Sequence, residues 1–166
     1  MKTQDALSLL IALEERVARI YFQFFRTFRD DREVARCWWD MARDEYGHVG
    51  ILKMVRELVS PEMEAGPMGA KLWSLVDVVE RCEQKAAAAD SLGPALELAI
   101  QLESSELDAL GHRIIQSMRF ELPDGAARPF AAGDPHCQRL VEAAEKVPDS
   151  TLRQRLETML GSARRR

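Results

Sequence analysis

The sequence predicts an all-α domain built from long helices, and three observations carry that expectation. Apolar residues recur at steps of three and four over long stretches, strand-like alternation is absent, and glycine and proline concentrate at 61–69, 93–94 and 123–135. With 166 residues and 46% apolar content the chain can bury one good core and is too short for two ordinary domains, so 1–166 reads as a single domain. A net charge of −4, from 23 basic and 27 acidic residues, leaves no overall field favouring nucleic acid. No long apolar run suggests a membrane span, and Met1 to Asp5 opens an amphipathic helix instead of a signal peptide. Cys37, Cys82 and Cys137 lie far apart with no Cys-x-x-Cys pair, which predicts reduced thiols and a soluble cytoplasmic protein.

Taken in order, the first helix is expected from Thr3 or Gln4 to Phe28, with Asp5 in its first turn favouring the helix dipole. Its stripe is Leu7, Leu10, Glu14, Val17/Ala18, Tyr21, Phe25 and Phe28. Asp30 followed by Glu33 reads as a capping box for the second helix, which should stop at Ser60-Pro61 because the residue before proline avoids the helical region. That helix carries Val34, Trp38, Met41, Glu45, His48, Leu52, Val55 and Val59 on one stripe. Adjacent Trp38 and Trp39 cannot both face the core, and Trp39 is expected on a flank open to another helix or subunit. A connection at 60–70 leads to an amphipathic helix from Lys71 to about Asp90, where Glu80 and Glu83 read as a polar flank. Gly93-Pro94 then opens one further long helix with the stripe Leu96, Ala99/Ile100, Glu103, Glu106/Leu107, Leu110 and Ile114. After Arg119 a loop of about fifteen residues is expected. The last helical stretch runs from His136 to about Ala163, interrupted by Pro148 and restarted with Asp149-Ser150 as its cap.

Chemistry enters where polar residues sit inside these apolar seams. A carboxylate buried with no partner costs several kcal/mol, so Glu45 and His48, three apart on a core stripe, should hold something between them. If the first two helices form a hairpin, Glu14 lies about sixteen residues before the turn near Asp30 and Glu45 about fifteen after it. Both are then roughly 23 Å from the turn, so the two acids meet. Carboxylate oxygens beside an imidazole suit iron or manganese. The opposing expectation is that the buried acids pair with Arg16, Arg43 or Arg113.

Leu13 to Tyr21 (LEERVARIY), followed by Met41 to His48 (MARDEYGH), resembles the first half of the rubrerythrin-like branch of the ferritin-like di-iron proteins. A Glu followed seven residues later by Tyr matches Glu14 and Tyr21, which selects Glu14 over Glu15, and Glu-x-x-His matches Glu45 and His48. The resemblance implies a ferritin-like four-helix bundle of two antiparallel hairpins with a helix-containing crossover between helices two and three, and no rubredoxin module. It implies two iron ions, or manganese, bridged by Glu45, and Tyr21 beside the site as a redox-active or supporting residue. The implied activity is an oxidoreductase acting on peroxide or oxygen with a separate electron donor, or the oxidation of ferrous iron. The phrase at 95–103 echoes that at 6–14, making Glu103 the counterpart of Glu14. The second Glu-x-x-His is expected on the fourth helix, where the sequence reads Glu157-Thr158-Met159-Leu160, with leucine in the place of histidine. The candidate ligands are therefore Glu14, Glu45, His48 and Glu103, with Glu106 and Glu157 as additions; His112 reads as a surface histidine and His136 as lying near a loop. Three readings stay open: two metals, one metal held by the first half, or a metal-free helical scaffold for protein interaction. A homodimer could also complete the site across a two-fold axis.

Overall fold

The structure, a computed structural model, describes residues 1–66, 68–105, 107–117 and 134–163. Its helices are α1 (Thr3–Thr27), α2 (Arg32–Leu58), α3 (Met68–Ala86), α4 (Leu92–Glu103), α5 (Leu107–Ser117), α6 (Asp134–Ala144) and α7 (Ser150–Ala163). No strand occurs among the described residues, where pairing is limited to one isolated bridge between Lys2 and Glu64. No described helix is long and apolar enough to cross a membrane. The long loop expected after Arg119 and the terminal arginines lie outside the described residues.

α1 and α2 form the expected hairpin. Gln4 Nε2 donates to Val59 O, Arg56 to Ser8 Oγ, and Lys53 lies 2.8 Å from Glu15, so sequence numbers fall on one helix as they rise on the other. The apolar stripes close on each other, burying Leu7, Leu10, Val17 and Phe24 of α1 with Trp38, Met41, Leu52 and Val55 of α2. Each such side chain contributes about 1.5–3 kcal/mol by leaving water. Trp38 is fully buried and Trp39 is 48% exposed. The cap of α2 is one residue later than expected: the Asp31 carboxylate accepts from Glu33 N and Val34 N at 3.1 and 3.2 Å. Asp31 N itself donates to Phe28 O, a tight turn that uses up Asp30 before the helix can begin.

The connection after α2 is tied to the start of the chain, with Thr3 N donating to Met63 O and Ala65 N to Met1 O. Gly66, with φ of 58°, takes the left-handed conformation that lets the chain turn into α3. α3 starts and ends earlier than expected and lies against α1, where Arg16 holds Glu83 at 2.6 Å and Gln23 donates to Ala86 O. Glu83 is thus a partner for an arginine on a helix flank.

The long helix expected from Gly93-Pro94 is broken. α4 begins at Leu92 and ends at Glu103, and α5 begins at Leu107. Serine hydroxyls compete for backbone groups, and here Ser105 Oγ donates to Leu102 O at 2.5 Å, taking a carbonyl at the helix end. α4 buries Ala95, Leu96, Leu98, Ala99, Ile100 and Leu102, too wide an arc for a one-faced helix, because α3, α6 and α7 all pack on it. The last helical stretch divides as Pro148 predicts, and Asp149 caps α7 through Thr151 N and Leu152 N.

Candidate metal centre

Four helices meet at one buried polar point. α1 brings Glu14, α2 brings Glu45 and His48, α4 brings Glu103 from its last residue, and α6 brings His136 from its first turn. Each reaches the interior because it takes a place in an apolar stripe: Glu14 stands between Leu10 and Val17, Glu45 between Met41 and Leu52, His136 one turn before Leu140. Glu14, Glu45, His48 and His136 are 0, 2, 3 and 5% exposed, and the Glu103 side chain 6%.

The five side chains form two groups with one member in common. Glu14, Glu45 and His48 place one ligand atom each within 4.8 Å of one another, and Glu45, Glu103 and His136 do the same. The Glu45 carboxylate faces both ways. Its Oε2 lies 3.0 Å from His48 Nδ1, which is 3.7 Å from Glu14 Oε2, and its Oε1 lies 3.6 Å from His136 Nδ1, which is 3.3 Å from Glu103 Oε2. The two imidazoles stand with ring centroids 6.0 Å apart.

Around this centre a polar fringe holds these side chains in place. The Tyr21 hydroxyl donates to Glu103 Oε1 at 2.7 Å, and its ring stacks on Trp38 at 5.9 Å. Asp44 Oδ2 lies 3.6 Å from the other ring nitrogen of His136. It also accepts from Arg139 at 2.7 Å, while Oδ1 takes Arg43 at 3.0 Å. Electrostatics follow from burial and proximity. Burial and then the neighbouring Glu14 push the Glu45 carboxyl up to about 8, against the pull of His48 and His136. Burial lowers the proton affinity of His136, but Glu103, Asp44 and Glu45 more than reverse this and hold it well above its ordinary value. Glu103, raised by burial, is held below the usual range by His136 and the Tyr21 hydroxyl.

The structure therefore brings together Glu14, Glu45, His48 and Glu103, with Tyr21 against Glu103. The expectation for the fourth helix does not hold. Glu157 is exposed on α7, whose inward stripe is Leu152 and Leu156, and it belongs to neither group. Glu106 lies outside the described residues, and His112 is half-buried on α5 and in neither group. A second histidine stands at the centre from elsewhere: His136 of α6, grouped with Glu45 and Glu103. A signal for it was present: His136, Leu140 and Ala143/Ala144 repeat the polar-in-apolar stripe that singles out Glu45, on a helix that ends before Pro148. The expectation that arginines neutralise the acids also fails for two of the three named, since Arg16 turns to Glu83 and Arg43 to Asp40 and Asp44. Cys37, Cys82 and Cys137 form no disulfide. Burial pushes Cys37 up to about 12, so it is not a ready thiolate ligand.

Comparison of the chain with protein-family models, with curated proteins and with solved structures found no match.

Proposed function

We propose that this chain is a ferritin-like di-metal protein whose four bundle elements are α1, α2, α4 with α5, and α6 with α7, with α3 as the crossover. One ion is held by Glu14, Glu45 and His48, the other by Glu45, Glu103 and His136. The observation that carries the reading is Glu45, whose two oxygens face two different imidazoles inside a water-poor core. The donor set fits. Three carboxylates packed this closely repel one another by several kcal/mol per pair at an effective dielectric of about 20, and divalent cations offset that repulsion. Oxygen and imidazole donors without thiolate suit iron or manganese.

Bound iron supplies redox chemistry, with electrons passed to peroxide or oxygen from a separate donor, or with ferrous iron itself as the substrate. The chain's own residues do the rest. Glu45 spaces the two positions, Tyr21 holds Glu103 in one orientation, and Asp44 fixes the far nitrogen of His136 so that Nδ1 faces the centre. The walls of Leu and Trp side chains keep bulk water out. The compartment is the reducing cytoplasm, consistent with three cysteines that form no disulfide.

The test is metal analysis after expression with iron and with manganese. About two ions per chain are expected. His48→Ala and His136→Ala should each lose one, and Glu45→Ala both. Substoichiometric metal in the parent protein would sink the reading and favour the interaction scaffold.

A further inference from the structure

Among the described residues the outward face of α2 has no neighbour to account for its composition. Trp39, Tyr46, Met54 and Leu58 stand 48, 50, 63 and 50% exposed along it, and Phe22 of α1 extends the patch beside Trp39, with ring centroids 6.2 Å apart. α2 packs against α1 and α6 on its other sides. We propose that this face pairs with the same face of a second copy, the two α2 helices running antiparallel across a two-fold axis near Gly50.

Three observations select that occupant. First, charge is arranged to complement itself. Arg43 and Glu57 lie equally far on either side of Gly50, with side chains 57 and 77% exposed. An antiparallel pair centred there sets Arg43 of each copy opposite Glu57 of the other and Tyr46 opposite Met54, whereas a parallel pair stacks Arg43 on Arg43. Arg43 already holds Asp40 and Asp44, and a guanidinium has donors to spare. Second, the area is adequate. Five large side chains, each about half exposed from a full area of roughly 150–250 Å², supply on the order of 1,000 Å² over two copies, the lower bound for a specific interface. Third, the face has room for a close approach, because a Cβ added at Gly47 or Gly50 would meet nothing within 4 Å. Glycine weakens a helix interior, and no contact among the described residues compensates for it here.

The test is the mass of the full chain by light scattering and sedimentation, from low micromolar to hundreds of micromolar. A dimer is expected. Gly50→Leu, whose Cβ meets nothing within 4 Å in its own chain, should give a monomer whose Tm is no lower than that of the dissociated parent measured at high dilution. Glu57→Arg should weaken association at least tenfold and the pair Arg43→Glu/Glu57→Arg should restore it. A parent that stays monomeric throughout the range overturns the proposal, as does a dimer indifferent to both Gly50→Leu and Glu57→Arg. Metal content is read separately, so dimerisation can fail while the metal reading stands.

Discussion

A carboxylate that serves two ions must offer its oxygens to opposite sides, and the Glu45 oxygens face two different imidazoles from the middle of α2. Its high proton affinity is the same fact seen electrically: without a cation, the cheapest neutralising partner for a buried acid beside Glu14 is a proton. Cations and protons therefore compete for one group. Tyr21 belongs to this scale as well. Removing its hydroxyl leaves Glu103 Oε1 short of a donor in a place where water does not easily replace it. Tyr21→Phe should cost about 1–2 kcal/mol of stability in the metal-free protein, read by urea unfolding, and should raise the proton affinity of Glu103. An unchanged unfolding midpoint would mean that the hydrogen bond contributes nothing net.

Among elements, what the sequence discloses depends on how local the cause is. Counting rise per residue brings Glu14 and Glu45 to one height because both helices are long, regular and joined by a tight turn. The echo of residues 6–14 in 95–103 leads to Glu103. The same bookkeeping breaks down after Glu103, where paired serines end α4 and where Pro148 divides α6 from α7, so no continuous register reaches from Glu103 to the fourth helix. His136 follows from the stripe of α6 alone, which helical symmetry with the first hairpin conceals. Asp149 is the cap that lets α7 exist as a separate helix. Asp149→Ala should cost about 1 kcal/mol and lower amide protection in the first turn of α7 while leaving α6 unchanged, as hydrogen exchange can show. Equal loss along both helices would mean that they unfold as one piece.

At the scale of the whole molecule, the centre makes stability depend on pH and, in the proposed di-metal reading, on metal as well. Glu45 keeps its proton to about pH 8 when folded but loses it near 4.5 when unfolded, so the unfolded state binds fewer protons across that window and stability falls as pH rises through it. His136, held above 6.5, acts in the same direction: its contribution is complete below that value and is lost as pH climbs through the folded one. Glu103, held below 4.5, opposes them only in acid, where its contribution is lost as pH drops. The chelated protein should therefore have its highest Tm in mildly acidic buffer and decline toward pH 9, by calorimetry; a rising Tm over that range would contradict the assignment. Manganese should flatten the decline, since bound cations replace the protons that the higher pH removes. The placement of the two groups along the chain has a further consequence, for time. Glu14, Glu45 and His48 are closed by one helical hairpin about thirty residues long, whereas the group of Glu45, Glu103 and His136 waits for α3 to α6 and a far longer loop closure. If the proposed centre binds two ions, the first position would be complete during synthesis well before the second, and the order of loading would follow the order of the chain.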